Sequence, residues 1–388
     1  MRRGHAAAVA SLSRIELNRA TLARQHLLEP ATLDVVTAIE SLAGLQAQEP
    51  ASPSIALWTR LADFAADDLD RAFADRSVVK ATLMRATLHA VSAADYLRFL
   101  PALRPLHHGL RRRGTGSIDD AVVRRLGDSA LEFAAEPRSN PVLRDHVDAE
   151  AARLGVDLDE AWWWVRLRHD FIHVPTTPPW SFSRRPTLAA AVAWLTDPAF
   201  VDEPLAIEHL VRRYLGAFGP ATIADAAAWS GLTIARLRPA FGAIEEAGDL
   251  WRARDEQGRE LLDLVAAPRP GAAVGAPPRL LPMWDSVLLA HADRTRIIDD
   301  AARSLVIGRN GDTLPSFLVD GQVAGLWWAV DEPGTRCRIE LEPFQRLTAA
   351  TRRALVREAE RLAAFLQPLE PTVFRRYRTS RARRGPGA

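Results

Sequence analysis

The segment Leu45-Gln46-Ala47-Gln48-Glu49-Pro50-Ala51-Ser52-Pro53 separates two predicted helices. Apolar residues recur every three or four positions over 33–45, which predicts a helix with one buried stripe that Thr32 can cap. Pro50 disfavours helical geometry at the residue before it, so this helix should end near the first glutamine. The serine and proline that close the segment are typical of the cap and first turn of a second helix, over 54–64.

Gln46 and Gln48 should point to the same side of an extended segment. A primary amide both donates and accepts hydrogen bonds, so the pair could orient a water or a polar substrate edge without carrying charge. The alternative is a polar linker that satisfies loose backbone groups, and composition alone favours this alternative.

The chain has 388 residues, a length that predicts several domains. No apolar run is long enough to span a bilayer and no signal-peptide core follows Met1, so we expect a cytoplasmic protein, associated with the nucleoid if it binds DNA, and no membrane partner. Cys337 is the only cysteine and the ten histidines lack metal-ligand spacing, which predicts no disulfide, no metal site and no cofactor.

The formal net charge is only +2, although the isoelectric point is about 9.1. Lys80 is the sole lysine, so nearly all positive charge is carried by arginine. Arginine grips phosphates in a fork and stacks on bases, so an arginine-lined groove would suit nucleic acid. Whether such a groove exists depends on how the charge is distributed and not on its total.

The order of predicted elements suggests a fold that is mainly α with β wings. A first unit at 12–110 has helices followed by a strand pair over 77–91, in which Arg85, Thr87 and His89 would share one face if extended. A strand pair after helices is the order of a winged helix.

The second unit, at 111–200, begins with the basic run 111–116, which is either a solvated loop or a phosphate contact. Three helices over 118–135, 140–154 and 158–169 precede a strand, tip and strand over 171–182. A closing helix is predicted over 187–195.

The third unit, at 201–268, has helix-turn-helix spacing, with Gly231 at the turn and Thr233 as the cap of the second helix. A hairpin wing follows over 250–265, with an intervening turn. The fold prediction is therefore three tandem winged-helix units. A small β-rich, barrel-like domain at 279–346, a C-terminal helix at 347–370 and a mobile basic tail at 371–388 complete it.

Three segments in this order resemble the AlkZ/YcaQ family of bacterial DNA glycosylases, which are often described as winged-helix DNA-binding proteins. The first is Gln46-Ala47-Gln48, similar to the family's Gln-hydrophobe-Gln motif, and the second is Arg85-Ala86-Thr87-Leu88-His89. The third comprises 280–285, 291–296 and 317–321. The glutamine at the third motif position is nearer the AlkZ branch, because the YcaQ motif ends in aspartate.

The chain departs from the family pattern at two positions. Ala290 stands where glycine is usual, and Trp328 stands where arginine is frequent. Loss of an arginine would weaken phosphate contact, whereas a tryptophan could stack on a base.

The resemblance implies excision of N7-alkylated purines from duplex DNA and leaves open whether bulky or cross-linked bases are included. It implies that Gln48 holds the attacking water and that Gln46 fixes Gln48 or touches the lesion strand. Glu49 is an alternative base, although adjacent residues usually point apart. The DNA-binding residues that the resemblance implies are Arg85, Thr87, His89, His291, Arg294, Arg296 and Trp328.

Structural roles are open for several of these residues. Arg85 could pair with a carboxylate such as Asp34 or Glu40, and Thr87 and His89 could bond to backbone. The polar residues Asp285, His291, Asp293 and Arg294 could form a buried network that holds the β-rich domain to the helices.

We expect a monomer with an open cleft whose partner is duplex DNA, bound mainly through phosphates. One competing hypothesis is a DNA-binding regulator or architectural protein without chemistry. Another is an inactive relative that binds lesions or a natural product and releases nothing.

Overall fold

The computed structural model describes residues 10–110, 118–176, 178, 180–182, 185–196, 198–330, 337–367, 369–370 and 372–378. These residues form a mixed helix-and-sheet fold with fourteen α-helices and three sheets. The predicted basic run at 111–116 and the end of the predicted tail lie outside them.

The helices, in chain order, are α1 (Arg14–Arg24), α2 (Val35–Ser41), α3 (Ser52–Trp58), α4 (Ala66–Ala74), α5 (Ala93–Gly109), α6 (Asp120–Phe133), α7 (Asn140–Arg153), α8 (Leu158–Arg168), α9 (Ala191–Trp194), α10 (Glu203–Phe218), α11 (Ile223–Ser230), α12 (Ile234–Glu246), α13 (Asp300–Val306) and α14 (Ala349–Phe365). The strands are β1 (Ala10–Leu12), β2 (Leu45–Gln46), β3 (Val78–Thr82), β4 (Leu88–Ser92), β5 (Arg138–Ser139), β6 (Phe171–Val174), β7 (Thr187–Ala190), β8 (Leu250–Asp255), β9 (Glu260–Leu264), β10 (Arg279–Leu281), β11 (Ser316–Val319), β12 (Gln322–Val330) and β13 (Arg338–Pro343).

The largest sheet has six strands in the order β2-β4-β3-β6-β7-β5, and every pairing is antiparallel. It joins strands that the sequence assigned to two separate units, because Lys80 of β3 pairs in register with His173 of β6. A second sheet, β1-β8-β9, includes the predicted hairpin after the third group of helices. The third sheet, β10-β11-β12-β13, lies in the predicted β-rich region and has β10 and β13 at its ends.

The helix predicted over 33–45 was wrong at both ends. It is capped by Asp34, whose Oδ1 accepts from Thr37 N at 2.9 Å, and it ends at Ser41. The backbone then reverses through Ala43 and Gly44, both with positive φ. A Cβ at Gly44 would lie 2.8 Å from Val91 Cγ1, so glycine is required where the chain turns onto the sheet.

The next predicted helix is confirmed but shorter, since α3 has a proline in its first turn and ends at Trp58. Its cap is Ala51, which offers no side-chain oxygen, instead of Ser52. The hydroxyl of Ser52 is used elsewhere, 2.7 Å from Tyr377 Oη.

The strand pair predicted over 77–91 is confirmed as β3 and β4, which a 3-10 turn, Met84–Ala86, connects. Arg85 and Ala86 have φ of 53° and 56°, left-handed values that side chains rarely adopt. Arg85 therefore does not continue the alternation of β4, although its side chain reaches Gln46, which lies opposite His89.

The closing helix predicted over 187–195 was also wrong. Its first four residues form β7, and only the one-turn α9 follows. The strand predicted to end at Phe182 is likewise absent from the described residues: β6 pairs with β7, through Phe171↔Ala190 to Val174↔Thr187. The short apolar run of β7 has no clear periodicity, so its burial between sheet and helices decides its structure.

The predicted third group of elements is confirmed. α10, α11 and α12 occur at the expected positions, and Gly231 adopts φ 84° between the last two. Thr233 caps α12, with its Oγ1 accepting from Arg236 N at 3.4 Å. β8 and β9 form the hairpin.

The C-terminal tail was predicted to be mobile, but its described part is anchored. Phe374 and Tyr377 are fully buried, and Tyr377 stacks on Trp327 with 5.3 Å between ring centroids. Tyr377 Oη also accepts from Met283 N at 2.9 Å. This segment therefore joins the β-rich region to the start of α3.

Buried ion pairs hold the N-terminal helices to later parts of the chain. Arg60 donates to both oxygens of Asp285 at 2.9 and 2.8 Å, and both side chains are almost completely buried. Arg24 makes the same two-pronged contact with Asp263 at 2.7 Å. Because each pair spans more than two hundred residues, both fix the long-range arrangement.

Neither a membrane-spanning helix nor a metal-binding cluster is found among the described residues. No helix there is long and apolar enough to cross a bilayer. No cluster of three or more histidine, cysteine, aspartate or glutamate side chains there could hold a metal ion.

Removing one partner of the Arg60–Asp285 pair should be costly, because it leaves a buried charge without compensation. We expect Asp285→Ala to lower the free energy of unfolding by about 3–5 kcal/mol in urea titrations. The double variant Arg60→Met/Asp285→Leu should lose less unfolding free energy than Asp285→Ala, because neither charge remains buried. Arg153→Ala, which removes an exposed pair with Glu150, should cost under about 1 kcal/mol. A similarly small loss for Asp285→Ala would contradict the assignment.

Candidate functional site

The two glutamines lie on an edge strand of the six-stranded sheet. β2 pairs antiparallel with β4, placing Gln46 opposite His89 and Leu45 opposite Ala90. The pairing continues one step beyond the strand, because Ala47 N donates to Leu88 O at 2.7 Å. Extended geometry sends alternate side chains to opposite faces, so the glutamines share one face as predicted.

The opposite face of the same segment is apolar. Leu45 and Ala47 are buried in a cluster with Ile39, Leu57 and Ala90. This burial fixes the register of β2, since a slip of one residue would move the glutamines into the apolar cluster and Leu45 and Ala47 out of it.

Gln48 is exposed and is held at one end only. Its Oε1 accepts from Leu88 N at 2.8 Å, and because the donor is a backbone amide this contact identifies the oxygen. Within the described chain, no protein group accepts from its Nε2. The oxygen keeps a second lone pair, so Gln48 can both accept from and donate to a water.

Gln46 is buried beside a cation. Its Oε1 accepts from Arg85 Nη2 at 3.1 Å, and Arg85 Nη1 donates to the carbonyl of Trp229 at the end of α11. Arg85 thus links the glutamine strand to α11. Sequence reasoning could not find this contact, because the Trp229 acceptor is a backbone carbonyl.

The turn at Arg85 is shaped by the glycine between α11 and α12. A Cβ at Gly231 would lie 3.2 Å from Arg85 Cα and 2.9 Å from Leu106 Cδ2, with the glycine at φ 84°. Only glycine combines that backbone with that close approach.

Arg85 and Arg294 form a pair of neighbouring cations. Burial, with the charge of Arg294, lowers the pKa of Arg85 to about 10. Among the described residues neither guanidinium has a carboxylate partner, and the suggested partner Glu40 pairs with Arg213 at 2.8 Å instead. Neither positive charge is therefore neutralised by a carboxylate within the described residues, which favours an anion such as a phosphate nearby.

His89 is a buried neutral imidazole. Its Nδ1 donates to Thr87 O at 2.9 Å, which makes Nε2 the unprotonated nitrogen. Burial and the charge of Arg85 lower the pKa of His89 to about 3. Thr87 itself donates from Oγ1 to Met84 O at 3.0 Å, so both residues make the backbone bonds suggested as their structural role.

Glu49 is buried and bonded away from the exposed glutamine. Its Oε1 accepts from Arg376 Nη1 at 3.2 Å, and its charge partly offsets the burial that lowers the pKa of Lys80 to about 8. Lys80 pairs across the sheet with Ala90, on the face of Leu45 and not on that of Gln46. This placement disfavours Glu49 as the group that meets water beside Gln48.

His291 and Arg296 lie in a buried polar network. His291 Nε2 donates to Phe218 O at 3.0 Å, and Arg296 Nη1 donates to Pro220 O at 3.0 Å. Their exposed fractions are 1% and 6%, so neither presents its side chain to a phosphate backbone. Of the four residues suggested for a buried network, His291 is thus bonded to the end of α10, and Asp285 is paired separately with Arg60.

Asp293 and Trp328 each form a hydrogen bond with a charged side chain, that of Arg259 and that of Glu342. Asp293 accepts from Arg259 Nη2 at 2.8 Å, and hydrogen bonds from Thr295 help to lower the pKa of Asp293 to about 2 despite partial burial. Trp328 is half-buried on β12 and donates from Nε1 to Glu342 Oε2 at 3.3 Å. Ala290 is fully buried, and its carbonyl accepts from Tyr214 Oη at 3.0 Å.

The site therefore presents an exposed neutral amide near Arg85 and Arg294, which have no carboxylate partner among the described residues, on the edge of a sheet that adjoins α11 and α12. A family model described as "DNA glycosylase AlkZ-like" matches residues 39–365. The chain belongs to this family of DNA glycosylases.

Two further comparisons extend over nearly the whole chain. The chain is 26% identical over 362 residues to an interstrand DNA cross-link repair glycosylase of Streptomyces sahachiroi, a match that covers 88% of this chain and 93% of the relative. Its fold is similar to the solved structure of Streptomyces sahachiroi DNA glycosylase AlkZ, with a TM-score of 0.75 and 21% identity over 95% of this chain and 98% of that one.

Buried neutral histidines should make the fold sensitive to acid. Burial lowers the pKa of His291, like that of His89, to about 3. Below the ordinary value of about 6.5 the unfolded chain binds a proton at each histidine and the folded chain does not, so stability is lost as pH falls from 6.5 towards 3.

We expect His291→Asn to reduce the slope of unfolding free energy against pH by up to about 1.4 kcal/mol per pH unit between pH 4 and 6. Urea titrations at several pH values measure this slope. Titrations at pH 8, where both forms of the chain hold a neutral histidine, report the packing cost of the substitution separately. If the unaltered chain and His291→Asn show the same slope of unfolding free energy against pH, His291 is not held neutral in the folded chain.

Proposed function

We propose that this chain hydrolyses the N-glycosidic bond of N7-alkylated purines in duplex DNA. The observation that carries the proposal is the exposed amide of Gln48, fixed by Leu88 N at 2.8 Å and lying on the same face as the Arg85-bound Gln46. A neutral amide held at this position can orient water without acting as a strong base.

The leaving group determines whether so weak a base is enough. Alkylation at N7 makes the purine cationic, and cleavage of the bond to C1′ returns the bonding electrons to N9 and neutralises the base. The sugar gains positive charge, water adds to C1′, and the proton of that water passes to solvent. Gln48 orients the water, so chemistry is limited to bases that already leave easily.

Gln46 is a positioning residue in this proposal. Its contact with Arg85 ties the motif to the helix-turn-helix elements, so movement of bound DNA relative to α11 would reach the catalytic strand. Arg85 and Arg294 contact phosphates near the lesion. Thr87 supports the turn that carries Arg85 by bonding to Met84 O, and His89 in turn bonds to Thr87 O. His291 and Arg296 act through the buried network.

DNA binding is proposed to use the surface formed by the elements of the three predicted units, with the chain as a monomer. Trp328 would touch DNA only by exchanging its bond to Glu342 for a base contact. Binding through phosphates should weaken steeply with salt.

The relative from Streptomyces sahachiroi is named as an interstrand DNA cross-link repair glycosylase. We propose that this chain also accepts bulky or cross-linked N7 adducts. The exposure of Gln48 supports this, because an open cleft need not enclose the damaged base.

Replacing Gln48 should abolish release of the damaged base. On a duplex oligonucleotide with one N7-methylguanine, we expect Gln48→Ala to lower the single-turnover rate by about a hundredfold or more, because an oriented water is lost. Duplex affinity should change less than twofold. Gln345→Ala, an exposed glutamine after β13, is the matched control and should keep the full rate.

The same assay separates the competing hypotheses. A regulator or architectural protein would release nothing and would be indifferent to Gln48→Ala, and an inactive relative would bind the lesion and release nothing. Alkali cleavage of the abasic product provides the readout, and full activity in Gln48→Ala would overturn the catalytic assignment.

Glu49→Gln distinguishes the carboxylate from the amide as the group that handles water. We expect this variant to keep its single-turnover rate within a few-fold, because Glu49 faces Arg376. Its unfolding free energy should fall, since a buried charged hydrogen bond is lost. A rate loss equal to that of Gln48→Ala, in a variant that remains folded, would assign the base to Glu49.

A further inference from the structure

A cavity of about 390 Å³ adjoins the turn that carries Arg85, between that turn and α8. Its walls include Thr82, Ala86, Trp162, Trp163 and Arg166. None of these residues belongs to the glutamine motif or to the family segments discussed above, except Ala86.

The cavity is close to the catalytic strand. Gln48 Oε1 bonds to Leu88 N at 2.8 Å, and Leu88 lies opposite Thr82 in the β3–β4 pairing. Neighbouring strands are about 4.8 Å apart, so Thr82 lies within about 10 Å of the Gln48 oxygen. Thr82 and Leu88 lie on the face of Leu45, opposite to the glutamines, so a DNA strand whose sugar reaches Gln48 has to pass round this end of the sheet for its neighbouring groups to meet the cavity.

Tryptophan provides most of the aromatic surface at this cavity. Trp162 is 7% exposed and packs in the core between α6, α7 and α8, whereas Trp163 is half-buried. Trp163 meets the ring of Trp164 edge-on, with 4.4 Å between centroids and 75° between planes. Trp163 is thus supported by a buried neighbour while part of its surface remains open.

Arg166 adds a positive charge that no carboxylate neutralises among the described residues. Its guanidinium lies 5.6 Å from the centroid of Trp162, and burial lowers the pKa of Arg166. Asp159 is the acidic residue at the cavity wall, and it is bonded to Arg144. A half-buried arginine beside open aromatic surface is a combination that binds planar rings and phosphates.

We propose that this Trp163–Arg166 pocket seats a planar aromatic ring carried by DNA next to the lesion. Trp163 stacks on the ring, and Arg166 stacks beside it or binds the attached phosphate. The ring is either a nucleobase displaced from the duplex or a planar substituent of a bulky alkylated purine. This assignment rests on the proposed function, because the pocket is placed relative to Gln48.

The test uses the full chain with Trp163→Ala, Trp163→Phe and the control Trp194→Ala. Trp194 also has an arginine over its ring, with 4.2 Å from Arg76 to the centroid, but Arg76 lies at the opposite end of β3 from Thr82. Thermal unfolding of each variant reports any loss of fold. Single-turnover release is measured on duplexes with N7-methylguanine and with an N7 adduct that bears a planar polycyclic ring.

The two sources of the ring give different outcomes. If a nucleobase is seated, Trp163→Ala lowers release of both lesions about tenfold or more, and Trp163→Phe largely restores it. If the adduct is seated, only release of the polycyclic lesion falls. Trp194→Ala leaves both rates unchanged.

A binding measurement keeps the pocket testable if no base is released. The affinity for a duplex with one extrahelical nucleotide is compared with that for a perfect duplex. Absence of release by the unaltered chain would refute the proposed function, and a preference for the extrahelical nucleotide that Trp163→Ala removes would still support the pocket. If Trp163→Ala releases both lesions at the unaltered rate, the pocket assignment is overturned. If the unaltered chain releases nothing, the assignment is overturned when Trp163→Ala keeps the same preference for the extrahelical nucleotide.

Discussion

The hydrogen bond from Leu88 N to Gln48 Oε1, at 2.8 Å, is the contact on which the site depends. Beyond the last paired residues of β2 and β4, this bond attaches the Gln48 side chain to the backbone of Leu88, and it fixes an exposed amide at the sheet edge. Leu45 and Ala47, buried on the opposite face, prevent the segment from slipping. Because the anchor is a backbone amide, the oxygen of Gln48 has a defined place whatever the surrounding side chains do.

The six-stranded sheet separates groups with different roles. On the glutamine face, Gln46 meets Arg85, and Arg85 reaches the carbonyl of Trp229. On the apolar side, Glu49 pairs with Arg376 and lies near the only lysine of the chain. The carboxylate of Glu49 is therefore held in a buried ion pair, and the exposed side chain of the motif, Gln48, is neutral. This arrangement suits a reaction whose leaving group carries its own positive charge.

The sequence was sufficient to predict the glutamine pair, its shared face, the helices α10 to α12 and their hairpin, because local spacing determines these features. It was insufficient at positions set by distant contacts. The end of α2 depends on Gly44 approaching Val91, and the left-handed turn at Arg85 packs against Gly231. His291 belonged to a matching motif, yet only the tertiary structure shows that it is 1% exposed. Where the backbone reverses against another element, residue pattern alone does not decide between helix and strand.

The dependence of release on the charge of the leaving base tests the central claim most directly. Duplexes that differ only in the target base (N7-methylguanine, guanine or hypoxanthine) would be incubated with excess enzyme, and single-turnover release would be measured. An amide that orients water without deprotonating it predicts release of N7-methylguanine alone, with the two neutral bases retained. Release of guanine or hypoxanthine at a comparable rate would require a true acid or base in the site and would contradict the account.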